Sequence, residues 1–420
     1  MNEAEQANLE PVDEWINSRC FWVIKCLIYV SAPVLYVDIV QAALCDKLGA
    51  NKTVASLPAT AYRLGAIAPV IANWVIGSSG RAQTVVLSAT LAVGLVLALV
   101  VSVLILPFSP TVRVTVVVVQ GLILGFLNYT QQVFLWQCLA SGTQLPARAH
   151  ALKLSFSLGP LFAVASSLGA QFVLREGVPF LSYPLDFAFL YCAGALAMLC
   201  ATLFAARFRI PSKTDHPSED VRFVQSASWA VRDYVRHREL MVLWVAYLLW
   251  YLTLGGTGNL SLFVRQALGR EPKEFSGLML ALRFGAKAAA GALLAEVLIR
   301  RGDRAALAVT SGLMAAVYVW VILVPGYPYL FAFALVGAGE LGSVYFANFA
   351  VSVSSPDRVA WNLSLLELTA LLSSLGPVVH GALTDAYGFN ASFAFGVATG
   401  IVGLALVWTL PSRREARGMS

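Results

Sequence analysis

The sequence predicts an all-α membrane protein: twelve transmembrane helices in two pseudo-symmetric six-helix bundles. Three observations carry that expectation. Of 420 residues, 58% are hydrophobic and only 12% are charged, with mean hydropathy +0.73; a soluble domain carries about 25% charged residues. The apolar residues gather in stretches that suit spans of about 20 residues, not the ~10-residue alternating strands of a barrel. Finally, intramembrane polar signatures of the first half recur in the second, at offsets of 217 to 220 residues. Lipid offers the backbone no water, so each stretch must satisfy its own hydrogen bonds as a helix.

The elements follow in order, and the basic residues between them set the orientation. Residues 1–16 are acidic (Glu3, Glu5, Glu10, Asp13, Glu14) and lack the basic start of a cleaved signal peptide, so they are expected to remain as an N-terminal tail. Span 1 (17–44) leads to Lys47 and Lys52, span 2 (54–76) to Arg81, and span 3 (82–106) to Arg113. Span 4 (112–139) leads to Arg148 and Lys153, span 5 (148–174) to Arg175, and span 6 (183–208) to Arg207, Arg209 and Lys213. Span 7 (238–266) leads to Arg265, Arg270 and Lys273, and span 8 (272–300) to Arg300, Arg301 and Arg304. Spans 9 (304–324), 10 (328–352), 11 (358–385) and 12 (390–410) complete the set, with Arg358 after span 10 and Arg413, Arg414 and Arg417 after span 12. With the N-terminus inside, 17 basic residues fall on the inner side and 7 on the outer, which predicts a plasma (inner) membrane protein with both termini cytoplasmic. The net charge of +6 is thereby explained by topology, and nucleic acid is not an expected partner.

The expected units are a tail (1–16), an N-terminal bundle (17–208), a cytoplasmic linker (209–237), a C-terminal bundle (238–410) and a second tail (411–420). In the linker, Val221, Val224, Trp229, Val231 and Val235 alternate with Arg222, Arg232 and Arg236, as in an amphipathic helix lying on the membrane surface. The six cysteines (Cys20, Cys26, Cys45, Cys138, Cys192, Cys200) lie in or beside apolar stretches without a CxxC pair, so neither disulfides nor a metal site is expected.

The repeat is specific. Ala61-Tyr62-Arg63-Leu64-Gly65-Ala66-Ile67-Ala68 in span 2 answers Ala281-Leu282-Arg283-Phe284-Gly285-Ala286-Lys287-Ala288 in span 8. Ser157-Leu158-Gly159-Pro160 in span 5 answers Ser374-Leu375-Gly376-Pro377 in span 11, and Leu124-Gly125 answers Leu341-Gly342. A shared intramembrane Arg and a shared Gly-Pro point to duplication.

With this pattern the chain resembles the major facilitator superfamily of secondary transporters over essentially its full length. The family's loop between spans 2 and 3 usually reads Gly-x-x-x-Asp-Arg-x-Gly-Arg-Arg; here only Gly80-Arg81 remain, with Asn73 and Gly77 at the first Gly and the Asp. The equivalent loop of the second half offers Arg300, Gly302 and Arg304, and the pattern after span 11 is kept as Gly381, Asp385 and Gly388. Gly159-Pro160 resembles the core of the antiporter signature. No subfamily is assigned. The resemblance implies that spans 1, 4, 7 and 10 line a central cavity with 2, 5, 8 and 11 beside them, and that Pro160 and Pro377 kink helices that rock during alternating access.

A charge at the bilayer centre costs at least about 2.5–3.5 kcal/mol, so each needs a reason. The central stretches of spans 3, 6, 9 and 12 carry none apart from Asp186 at one edge, whereas Asp38, Arg63, Arg283, Lys287, Glu340 and Glu367 sit centrally in spans 1, 2, 8, 10 and 11. Asp38 and Arg63 lie at similar depth in the outer half and are expected to pair. Arg283 and Glu340 fall near the midplane, and Lys287 lies one turn beyond Arg283 on the same face. Two readings of these cations stand open: contacts for an anionic group of the cargo, which Arg63, Arg283 and Lys287 would hold, or the ion pairs Arg63–Asp38 and Arg283/Lys287–Glu340, buried for helix packing. Glu340, Glu367 and Asp38 are the candidates for proton coupling. Gln120, Asn128, Gln131 and Gln132 of span 4, and Tyr247, Trp250, Tyr251 and Asn259 of span 7, are candidate polar lining, with Gly255-Gly256 allowing a bend; the alternative for them is ordinary interhelical hydrogen bonding and interface aromatics. His150 and His380 are expected in loop and packing roles, without metal.

No Gly-x-x-x-x-Gly-Lys-Ser/Thr, Gly-x-Ser-x-Gly or His-Glu-x-x-His occurs, so neither ATP hydrolysis nor catalysis is expected, and no cofactor. The expected function is secondary active transport of a small organic anion, with protons as co-substrate, by a monomer in the bilayer. Competing expectations are a proton-driven exporter of lipophilic drugs or metabolites and a non-transporting membrane sensor on a transporter scaffold.

Overall fold

The structure is a computed structural model that describes residues 10–69, 71–72, 82–175, 178, 180–210, 231–354 and 359–411. Among these residues the regular structure is helical, without strands. Eight helices are long and apolar enough to cross a membrane: Ala82–Ile105, Pro110–Leu139, Leu185–Ala205, Arg238–Leu262, Asp303–Leu323, Tyr327–Ala350, Leu365–Tyr387 and Phe389–Trp408. The other expected spans are helical where described but shorter or more polar. Residues of span 1 divide into Pro11–Val30, Ala32–Leu35 and Ile39–Lys47; span 2 contains Lys52–Leu64 and a 3-10 turn Gly65–Ile67; spans 5 and 8 correspond to Leu145–Leu174 and Lys273–Arg301.

Four interruptions matter for function, because non-helical backbone at membrane depth must find partners within the protein. In span 1 the helix ends at Ser31 and again before Asp38, where Pro33 cannot donate; Gln41 Nε2 donates to the Val34 carbonyl at 2.7 Å, and Asp38 Oδ1 accepts from the Ile39 amide at 2.6 Å. In span 7 the break falls at Gly255–Gly256, where the carbonyls of Leu252 and Thr253 keep only i+3 amide partners and also meet His380 Nε2 at 3.1 Å and the Tyr318 hydroxyl at 2.5 Å. Span 10 breaks at Glu340–Leu341 between Phe331–Gly339 and Gly342–Val353, and Trp250 Nε1 donates to the Gly339 carbonyl at 3.3 Å. In span 11 a 3-10 turn, Ser373–Leu375, precedes a helix that starts at Gly376-Pro377, where the missing proline N–H costs nothing. The bends foreseen at Gly255-Gly256 and Pro377 thus coincide with interruptions. Spans 1 and 10, expected as continuous helices, are also broken. Pro160, by contrast, lies inside the helix Leu145–Leu174.

Close backbone approach holds the two halves together internally and against each other. An added Cβ at Gly121 or Gly125 would strike the backbone of Pro58 or Tyr62, and one at Gly337 the Arg283 carbonyl, so the second and fourth spans of each half touch through glycine in the same manner. Between halves, Gly277 abuts Ser167 and Gln171, and Gly381 abuts Lys52 and Thr53. Gly159 lies under the Tyr29 ring.

Of the motif residues, Gly80 and Arg81 lie outside the described residues. Gly302 starts the helix Asp303–Leu323 with φ +83°, a value that favours glycine. Arg304 donates to the Leu410 carbonyl at 3.0 Å and covers the Trp408 ring, and Arg300 is exposed. Of the surface helix foreseen in the linker, residues 231–236 are helical with Val231 and Val235 exposed, while Val221, Val224 and Trp229 lie outside the described residues. All six cysteines are free thiols.

Candidate functional site: a charged cavity between the halves

The interruptions of spans 1, 7 and 10 converge on one cavity of about 210 Å³, lined by Asp38, Arg63, Tyr251, Arg283, Lys287 and Glu340 among others. Arg283 is its centre. Its Nε donates to Glu340 Oε1 at 2.7 Å, its Nη2 donates to the same oxygen, and its Nη1 donates to Asp38 Oδ2 at 2.8 Å. Lys287 Nζ reaches Glu340 Oε2 at 3.3 Å. The side chains of Arg283, Glu340 and Asp38 are 5%, 6% and 17% exposed, so the cluster is shielded from water and its pairing is strong.

This geometry corrects the expected Asp38–Arg63 pair. Asp38 sits at the break of span 1 and turns to the guanidinium of span 8, in the other half of the chain. Arg63 instead donates Nη1 to the Tyr251 carbonyl at 3.1 Å and stacks 6.0 Å from the Tyr251 ring centroid. Among the described residues it has no carboxylate partner.

A second cavity of about 210 Å³ adjoins the first through the shared Tyr36, Tyr62 and Tyr129, and is closed by Lys25, Asn128 and Gln132. Lys25 Nζ donates to Gln132 Oε1 and lies 5.9 Å from the centroids of both Phe21 and Trp136. Taken together, the two cavities bring four cations (Lys25, Arg63, Arg283, Lys287) against two carboxylates (Asp38, Glu340). With every group ionised, two positive charges are unmatched.

The remaining sequence candidates are placed elsewhere. Gln120, predicted to line the site, instead accepts from the Tyr191 hydroxyl at 3.2 Å, and Gln131 donates to Thr90 Oγ1 at 2.6 Å; both are helix-packing contacts. Asn259 donates to the His380 carbonyl, Thr384 and Ser392, away from the cavity. Tyr247 is fully buried and hydrogen-bonds the Tyr251 hydroxyl at 3.1 Å, while Trp250 and Tyr251 line the cavity. Glu367 is exposed, lies outside the cavity lining, and has no ion pair among the described residues. Lys25 belongs to the cation set that the sequence offers, as its more peripheral member; the lining tyrosines Tyr29, Tyr36, Tyr62 and Tyr129 carry no such signal.

At the end bearing the 47–52 turn the halves are latched. Asp46 accepts from Lys52 Nζ at 2.7 Å and, bidentately, from Arg265 Nη1 and Nη2 at 3.1 and 2.7 Å. Lys47 pairs with Glu271 at 2.8 Å, which holds the Glu271 carboxyl below the usual carboxylate range. Asp385 accepts from the Lys52 and Thr53 amides at 3.1 and 2.8 Å, favourably placed at a helix N-terminus. Buried Lys273 reaches Asp186 at 3.4 Å. Among the described residues, every ion pair that joins the two halves lies at this end or in the central cluster.

This architecture has counterparts among solved structures. The chain is similar to a point mutant of the nucleoside transporter NupG, at 12% identity with TM-score 0.70, over 94% of this chain and 98% of that one. The human organic anion transporter MFSD10 (TETRAN) matches at 16% identity and TM-score 0.64, over 95% and 100%. A peptide transporter POT in complex with sulfate matches at 12% identity and TM-score 0.65, over 94% and 93%. No family model matches the sequence, and no curated protein is similar enough in sequence to match. The fold is therefore shared with these transporters, a multi-pass helical architecture.

Proposed function

We propose that the chain is a secondary active transporter that moves a small organic anion by alternating access, with two six-helix bundles (residues 17–208 and 238–410) rocking about the central cavity. The observation that carries the reading is the positive excess in a cavity walled by both halves: an anion entering it neutralises charge that no protein carboxylate matches. Arg63 is the cation available to the cargo in the first cavity. Arg283 and Lys287 are engaged by carboxylates, and reach the cargo only by exchanging partners. Tyr251, Asn128 and Gln132 supply polar edges, and the tyrosines a stacking wall.

Coupling follows from the same cluster. Arg283 ties span 8 to Asp38 in the opposite half, so protonation of Asp38 removes one ionic tie between the bundles, and protonation of Glu340 loosens the guanidinium itself. Arg283 is then freed to meet an anion. Glu367 is a further proton site on span 11. With the basic residues inside, the latched end is extracellular.

Reconstitution tests this reading. Proteoliposomes containing the protein should exchange labelled organic anions across the membrane, faster when a proton gradient is imposed. Absence of counterflow for carboxylates, phosphate esters, nucleosides and peptides alike would point to a sensor on a transporter scaffold instead.

A further inference from the structure

The Lys25 cavity has features of a binding site in its own right. Its ammonium is half-buried on span 1, and its one hydrogen-bond partner among the described residues is the neutral Gln132 Oε1. The rings of Phe21 and Trp136, each at 5.9 Å, offer weak cation–π support and no counter-charge. One turn before Gln132 on the same helix, Asn128 is 6% exposed and lines the cavity, and its Oδ1 is buried with no hydrogen-bond partner. A buried acceptor left unmade costs about 1–3 kcal/mol, and an unmatched cation at this depth is costly as well. Lys25 and Asn128 both line this space, about 210 Å³ in volume, behind the wall of Tyr36, Tyr62 and Tyr129, with the Asn128 oxygen itself turned out of it.

From this juxtaposition we infer that the Lys25 cavity is the subsite for the acidic group of the cargo: an oxyanion, carboxylate or phosphate monoester, seated on Lys25 beside the amides of Gln132 and Asn128. An unsaturated body then lies among the tyrosines toward Arg63. The Arg283–Glu340 cluster is the coupling element and not the primary anion seat. This inference rests on the transporter reading and specifies which cation holds the charge. It also identifies the cargo as an acid, and it excludes an uncharged nucleoside or sugar.

The decisive variant is Gln132→Glu, which keeps the side-chain shape and places a permanent carboxylate on Lys25. The full-length protein, purified in detergent, is screened by thermal unfolding against hydroxybenzoates, amino-substituted aromatic carboxylates and aryl phosphates. Each acid is paired with its neutral amide or alcohol. Uridine and a neutral dipeptide amide serve as further neutral ligands. The expected result is that wild type is stabilised by one or more acids and not by their neutral partners, with the carboxylate and phosphate arms showing which oxyanion is preferred. Gln132→Glu should be at least as stable without ligand and should bind the same acid at least tenfold more weakly. Lys25→Met should lose the response and Lys25→Arg should retain it. Acid binding that survives Gln132→Glu and Lys25→Met overturns the inference, as does a panel in which no acid stabilises wild type. Uridine or the dipeptide amide stabilising wild type and Lys25→Met alike would overturn it while leaving the transporter reading intact. Counterflow that is absent for every member would overturn the transporter reading itself.

Discussion

Arg283→Met should destabilise the protein by about 3 kcal/mol, and adding Asp38→Asn should restore at least half of that loss. The guanidinium makes three charged hydrogen bonds to two carboxylates, one 6% and the other 17% exposed. Removing one partner of a buried ion pair costs about 3–5 kcal/mol, because the other charge stays buried. Lys287, at 3.3 Å from Glu340, continues to neutralise that carboxylate, which puts the cost at the lower end of the range. Asp38 then remains the unmatched charge, and converting it to an amide removes the penalty without restoring the bond. The assay is a two-by-two cycle of wild type, Asp38→Asn, Arg283→Met and the double variant, measured by denaturant-induced unfolding in detergent. If the double variant is no more stable than Arg283→Met, or if Arg283→Met matches wild type, the cross-half ion pair has been misread.

Gly337→Ala should abolish folded yield, since its Cβ would collide with the Arg283 carbonyl, whereas Gly291→Ala has nothing within 4 Å and should be neutral or stabilising by up to about 1 kcal/mol; size-exclusion profiles and melting temperatures distinguish them. Asp46→Asn should weaken the latch by about 1–2 kcal/mol, the value for charged hydrogen bonds discounted for the half-exposed Arg265, and raise cysteine labelling of the cavity from the extracellular side. Because the Glu271 carboxyl is held below its ordinary range in the latched form, the Lys47–Glu271 pair contributes above the ordinary carboxylate range and is lost as pH falls through the lowered value. Acidification should therefore favour the unlatched form, and Glu271→Gln should reduce that dependence in the same labelling assay. A protease site appended to the C-terminus should be cut from the cytoplasmic side only, in keeping with the basic residues.

The charge segregation was legible because insertion energetics leaves intramembrane charges only where protein or water can meet them, and Arg63, Arg283 and Glu340 do line one cavity. The Gly255-Gly256 interruption was legible from the glycines alone. Pairing was not. Depth counted along a straight helix puts Asp38 level with Arg63, but the break at residues 36–38 redirects Asp38 across the interface, and no periodicity within one half encodes a partner in the other. The same limit leaves Gln120 and Asn259 open between lining and interhelical packing, and they pack: an amide on an apolar helix reads alike whether it meets cargo, Tyr191 or Thr384. Lys25 reads as a peripheral cation because a lysine near a span end ordinarily snorkels to the interface; here Gln132 and two aromatic rings hold it inward.

The central claim is that one cavity is exposed alternately to the two sides of the membrane. Spin labels at Ala50→Cys and Arg270→Cys, on either side of the latch, report it directly by pulsed dipolar spectroscopy in lipid nanodiscs, with the exposed Cys192 and Cys200 replaced by serine. Alternating access predicts a short distance matching the latched form and a second, longer population that grows with Asp46→Asn or with a transported anion. A single short distance under every condition, in a protein that also gives no counterflow, would contradict it.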